Sequence, residues 1–223
     1  MDLLIHYFFN LGVMRRYLPD LLDGLLVTVA MAVLIITIGL TVGFALAVIR
    51  AFQLRPVNWV LVPLVDLFRA VPPLVIIVVV YFALPYAGIR LSSFASTVAS
   101  LAAVLAAFSE EIFWAGIISV ERGQWEAARS TGLGHLETLA LVVLPQAVRL
   151  AIPPLTNWTI AITKGTALGS AVAAQEIISR AQSAQSIAAN PSPLTLGALL
   201  YLAIFVPFVV GSRWVERRFG WRR

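Results

Sequence analysis

The sequence predicts an all-α polytopic membrane protein with five transmembrane helices. Three observations lead there. The chain of 223 residues is 60% hydrophobic and only 12% charged, against roughly 25% charged for a soluble domain. Its charges gather in clusters, with long uncharged runs between them. Several of those runs approach or exceed the roughly 20 residues that a helix needs to cross the hydrocarbon core of a bilayer.

The first span is the uncharged run Gly24 to Ile49, ended by Arg50 and Arg55, which mark a cytoplasmic loop. The second, Val57 to Pro85, is apolar but contains Asp66, Arg69, Pro72 and Pro73. Asp66 and Arg69 are three apart and share a helix face, so they pair. The two prolines remove two N–H donors and bend or break the helix. Broken helices are tolerated in a membrane only against protein or water. Arg69, Pro72 and Pro73 therefore mark either a gate or a packing kink. Leu91 to Ser109 is the third span, rich in Ser, Ala and Thr as close helix packing requires, and closed by Glu110 and Glu111. The fourth runs from about Pro145 to Thr163, with a break expected at Pro153-Pro154 and Lys164 just beyond. Ser179 to Pro193 reads as a polar loop. Leu194 to Ser212 is the fifth span, ended by Arg213, Arg217, Arg218, Arg222 and Arg223.

An odd number of spans puts the two ends on opposite sides. Basic clusters flanking spans stay inside, so the C-terminus is expected in the cytoplasm and the N-terminus outside. The N-terminal stretch does not read as a signal peptide, because Asp2 and His6 stand where a basic region belongs and Asn10 interrupts the apolar run. It is expected to remain, lying at the membrane surface. The net charge of +5 comes mostly from the C-terminal arginines, which act as a membrane anchor and do not point to nucleic acid. The chain has no cysteine, which excludes thiolate metal sites and cysteine nucleophiles. It also lacks the Gly-rich phosphate loop of an ATPase.

Between the third and fourth spans lies the only strongly polar internal stretch, Glu121 to Glu137. A short helix is expected around Gln124–Thr131, a glycine stop at Gly132, and a second helix from about His135. The stretch reads Glu126-Ala127-Ala128, three residues, Gly132, nine residues, then Val142-Val143-Leu144-Pro145. Small residues at Ala127 and Ala128 allow close backbone approach by a partner. Trp125 and Arg129, four apart, share a face. An ordinary amphipathic surface loop is the alternative reading.

That spacing resembles the signature loop of ABC importer permeases, EAA-x3-G-x9-I-x-L-P, which forms a coupling helix seated in a groove of the ATPase subunit. Ser119 to Leu155 is similar to the polar amino acid (histidine/glutamine/arginine-type) transport family, most specifically in Gln124 to Arg129 and in Leu144-Pro145-Gln146-Ala147-Val148-Arg149. Leu21 to Leu25 with Thr28, and Phe68-Arg69, Pro72, Leu74 and Tyr81-Phe82, resemble its first and second spans. The likeness runs from about residue 18 to residue 217. It implies the type I ABC importer permease fold over 1–223 as one transmembrane domain, with a cytoplasmic coupling loop at about 119–145. It implies coupling through Trp125, Glu126, Ala127, Ala128, Arg129 and Gly132. The partners it implies are an ABC ATPase dimer carrying ATP and Mg, a second permease copy, and a periplasmic or extracellular solute-binding protein. The setting is the bacterial inner (plasma) membrane.

The chain departs from the family's pattern at Ala70-Val71, at Trp114-Ala115 and at Gly165 and Ala167. An acid and a base are thereby missing near the expected pathway, so the likeness does not extend to the identity of the solute. Charges at membrane depth invite a pathway role, which makes Glu111 and Lys164 candidates. Asn157 and Thr166 are added for their place beside small-residue segments suited to lining a cavity. A zwitterionic amino acid needs partners for a carboxylate and an ammonium, and these side chains supply them. Two other classes remain: a channel or secondary transporter working without an ATPase, and an intramembrane enzyme. The chain has only His6 and His135, neither in a recognisable catalytic or metal-binding motif.

Overall fold

The computed structural model describes residues 2–219; Arg222 and Arg223 of the basic C-terminal cluster lie outside them. Ten α-helices follow one another among the described residues, without a strand: α1 (Asp2–Phe8), α2 (Leu11–Ala51), α3 (Arg55–Ala70), α4 (Pro73–Phe82), α5 (Ser93–Ser119), α6 (Arg122–Ser130), α7 (His135–Thr138), α8 (Leu144–Lys164), α9 (Ile177–Ala188) and α10 (Ser192–Phe219). Four helical stretches are long and apolar enough to span a membrane, and α3 with α4 forms a fifth, bent by 103°. The expected five spans are therefore present, counting the bent pair once. The bend falls where Pro72 and Pro73 withhold their N–H groups.

The first span is longer than the uncharged run suggests. Helix α2 begins at Leu11, where the Asn10 side chain accepts from the Val13 N–H at 3.2 Å. The helix continues through Pro19 to Ala51. Its buried face repeats small residues every four positions: Gly39, Gly43, Ala47 and Ala51. Small residues at that spacing let two helix backbones approach in lipid. Here the partner is α5, and a Cβ on Gly43 would stand 2.5 Å from the Ser109 Cβ and 2.6 Å from the Ala106 carbonyl oxygen. Helix α5 is the hub of the bundle and packs against α2, α3, α4 and α8. Gly116 repeats the device against α8, since a Cβ there would meet the Ala147 carbonyl oxygen at 2.7 Å.

Three expectations need correction. Glu110 and Glu111 do not close the third span; α5 carries on to Ser119 because guanidinium groups neutralise both carboxylates inside the bundle. Pro153-Pro154 does not break the fourth span. Helix α8 is continuous through both, held by Ala147, Ala151 and Leu155 packing into one core with Phe113 and Ile117 of α5. The polar stretch from Ser179 is not a loop but helix α9. The Glu176 carboxylate caps it by accepting from the Ile178 and Ser179 N–H groups at 2.9 and 2.7 Å. Its small face, Ala181 and Ala184, packs on Tyr17 and Leu21 of α2. The Tyr201 hydroxyl donates to the same carboxylate at 2.8 Å, tying α9 to α10.

The start of α2 is pinned to the start of α10. The Asn10 N–H donates to Ser192 Oγ at 3.0 Å, and Asn190 Nδ2 donates to the His6 carbonyl at 3.1 Å. Exposed Leu26, Val33, Leu202, Val206 and Val210 cover the outer faces of α2 and α10, as lipid requires.

Candidate functional site

Two features stand out: a polar knob between α5 and α8, and a charge cluster centred on the buried Glu110. In the knob, α6 starts after Glu121 and ends at Ser130, Thr131 caps it, and Gly132 then takes φ +92°. Only glycine adopts that conformation without strain. The Gly134 N–H donates to Glu137 Oε2 at 2.8 Å, which starts α7. The expected helix, glycine stop and second helix are all present, with α6 beginning two residues earlier than expected.

Burial divides the six coupling candidates. Ala128 is 8% exposed and turned into the chain. Trp125 is half-buried and stacks on the His135 ring, with centroids 5.5 Å apart. It packs against the core of Phe113, Ile117 and Leu139. Glu126, Ala127 and Arg129 are exposed. Trp125 and Arg129 thus do not present one outward face; Trp125 anchors the knob from behind. Ala127, not Ala128, is the small residue on the open side. A Cβ on Gly132 would meet nothing within 4 Å.

The charge cluster joins three helices. Arg50 Nη1 donates to Glu110 Oε1 at 3.1 Å and to Glu111 Oε2 at 3.2 Å. Arg69 Nη1 donates to Asp66 Oδ1 at 3.2 Å and to Glu111 Oε2 at 3.3 Å. The expected Asp66–Arg69 pair is real, but it belongs to a network of three carboxylates and two guanidiniums. Trp114 lies 4.8 Å from the Arg50 guanidinium and Phe108 lies 5.7 Å from that of Arg69, within cation–π range. Arg50 and Glu110 were missed as site residues. Each ends an apolar run, where a charge that snorkels to the interface and one that pairs inside look alike in sequence.

The Glu110 side chain is fully buried and that of Arg50 is 14% exposed. Removing Glu110 takes from Arg50 its buried partner but leaves the Glu111 contact at 3.2 Å, a loss of about 1–3 kcal/mol. Glu110→Ala is accordingly expected to lower the unfolding temperature of the detergent-solubilised protein. The double variant with Arg50→Ala should lose less than the sum of the single losses. Strict additivity in that cycle would mean the pair holds nothing together.

The four pathway candidates do not converge on one cavity. Glu111 borders a space of about 730 Å³ with Gly116, Ser119, Glu121 and Pro154. Lys164 borders a different, apolar groove beside Tyr201, Phe205 and Arg213. Asn157 is exposed on α8, and Thr166 is fully buried. Glu111 and Lys164 thus border separate spaces, and Asn157 lines neither of the two.

Residues 39–221 match the family described as the binding-protein-dependent transport system inner membrane component. The chain belongs to that family. It is 33% identical over 210 residues to the probable glutamine ABC transporter permease protein GlnM of Bacillus subtilis (strain 168), covering 94% of this chain and 97% of the relative. It is 34% identical over 170 residues to the L-cystine transport system permease protein TcyB of the same organism, covering 76% and 73%. A crystal structure of an amino acid ABC transporter with histidines superposes with a TM-score of 0.84 at 30% identity, over 92% of this chain and 96% of that one. The protein is thus an inner-membrane permease subunit of an ABC importer with the type I fold. It is not an enzyme; ATP hydrolysis lies on a separate subunit.

Proposed function

We propose that this permease, paired with a second copy of itself or a homologue, forms the pathway for amino acids or closely related small polar solutes. A solute-binding protein delivers the solute to the outer face. Helix α6 is the coupling helix, received by an ATPase dimer that binds ATP and Mg. The observation that carries this reading is the geometry of the knob. Glu126, Ala127 and Arg129 face outward from a short helix whose rear is held to the bundle by Trp125, which also stacks on His135 of α7, with Ala128 buried beside it. Such a knob passes a push directly into α5 and α8, to which it is joined.

The whole chain acts as one transmembrane domain, with the coupling loop at about 119–145. The N-terminus lies outside and the C-terminus in the cytoplasm. Two features support that orientation. The arginines Arg213, Arg217 and Arg218 crowd the end of α10, and the Asn10–Ser192 bond holds the start of α2 at the opposite end of that helix. Amino acids as cargo are supported by the relatives' substrates, glutamine and cystine. Glu111 is the pathway candidate we retain within the chain. Exposed Asn157 and Lys164 contribute where a second copy faces α8.

Reconstitution tests the reading. Proteoliposomes holding the permease, its ATPase and its binding protein are expected to take up radiolabelled amino acid only with internal ATP-Mg and all three proteins. Uptake by the permease alone, driven by an ion gradient, would replace this reading with that of a secondary transporter.

A further inference from the structure

Helix α7 does not pass directly into α8. The ladder widens into a π turn over Leu139–Val143, where the Leu144 N–H reaches back to the Leu139 carbonyl. Single π turns inside α-helices are rare and cluster at functional sites. The residues here supply a reason. In an α ladder the Leu141 carbonyl would pair with the N–H of residue 145, which is Pro145 and has none. The Gln146 side chain then intervenes. Its Nε2 donates to the Val142 carbonyl at 2.8 Å and lies 3.4 Å from Gln124 Oε1 on α6. One amide therefore touches both the irregular turn and the coupling helix.

Both sides of this turn are packed, the α6 side through Trp125 on Phe113 and Ile117 and the α8 side through its first buried residues. On the α8 side, Ala147 lies directly after Gln146 and is 1% exposed. Its carbonyl is seated where any Cβ on Gly116 would stand 2.7 Å away, so α8 is clamped to α5 at that point. On the other side, α6 and α7 are joined by the Trp125–His135 stack into one small body. A rigid knob, an irregular turn and a clamped helix succeed one another within 25 residues, Glu121 to Pro145.

We propose that Pro145, the π turn and the Gln146 amide form the joint that sets the orientation of the coupling helix, with Gln146 as its positioning residue. This rests on the coupling role proposed for α6. Return of the turn to α geometry removes one residue from the register and rotates everything before it by about 100° about the α8 axis. Pro145 resists that return by lacking the N–H it requires, and Gln146 fastens the resulting geometry to α6.

The test uses the full transporter in proteoliposomes and reads solute imported per ATP hydrolysed. Gln146→Leu keeps the size and removes the amide, and Pro145→Ala restores the missing N–H. Gln146→Leu is expected to lower that ratio about fivefold, the scale of one net hydrogen bond, and Pro145→Ala to lower it likewise, with ATP hydrolysis still measurable. Because the chain has no cysteine, Ser130→Cys and Leu202→Cys accept a nitroxide pair. Pro145→Ala should shift the distance between the labels. A parental ratio with an unshifted distance in both variants would overturn the joint. If Glu126→Lys abolishes uptake in the same assay, the coupling role survives that failure; if Glu126→Lys is also silent, the coupling role itself falls.

Discussion

Gly132→Asp and Glu126→Lys are expected to abolish ATP-driven uptake while leaving the permease inserted and folded. Both changes are nearly silent within the chain. A Cβ at Gly132 meets no atom within 4 Å. Its cost is the strain of a side chain at φ +92°, about 1–2 kcal/mol. Glu126 is exposed, and among the described residues it takes part in no salt bridge. The damage therefore falls on whatever the knob touches. A reversed or added charge at a desolvated contact costs on the order of 2–5 kcal/mol, so at least about thirtyfold in engagement of the partner. Three measurements check this: the amount of permease in the membrane fraction, co-purification of the ATPase, and uptake. Normal insertion with lost uptake is the expected pattern. Parental uptake by both variants would mean that α6 faces nothing that matters to transport.

Gly43→Leu is expected to impair assembly of the bundle sharply. The position lies at the tightest point of the α2–α5 contact. The first added carbon already stands 2.5 Å from Ser109 and 2.6 Å from a backbone oxygen. The backbone oxygen of a packed helix cannot rotate away, so α2 has to retreat. Overpacking costs about 1–3 kcal/mol even where neighbours yield, and three further carbons follow the first. Retreat of α2 also draws Arg50 away from Glu110, seven residues along the same helix. Together the two losses consume much of a native stability of about 5–15 kcal/mol. The accumulated level of tagged protein in membranes, and its elution as a single species in detergent, report the outcome. Gly211→Leu is the control, since a Cβ there meets nothing within 4 Å. Equal yields of the two variants would mean that the α2–α5 contact is far looser than described.

Much of the fold was legible. Uncharged runs located the spans, the adjacent prolines located the 103° bend, and the Gly132 spacing located the turn after α6. These signals are local: hydropathy, a missing N–H and an achiral Cα act on the chain whatever surrounds them. The Gly39, Gly43, Ala47, Ala51 repeat was equally local and was passed over, because in an apolar run a small residue attracts less notice than a charge. Helix α9 was misread because its composition is polar and alanine-rich. Its helicity comes from a cap at Glu176 and from the face of α2 that Ala181 and Ala184 cover.

The charge cluster and the orientation of the knob belong to the other category. Arg50 and Glu110 are sixty positions apart, and only the crossing of α2 over α5 makes them a pair. Spacing alone puts Trp125 on a face with Arg129, whereas its ring stacks on His135 and packs against α5. Composition and the uncharged runs determined by themselves that this chain crosses a membrane about five times, because bilayer thickness and backbone hydrogen bonding constrain each segment separately; the permease family came from the likeness of its motifs to known relatives. Which charges neutralise one another, which side of α6 faces outward, and why α8 begins with a π turn were decided only by the tertiary structure. Each depends on distances between helices that no single segment contains.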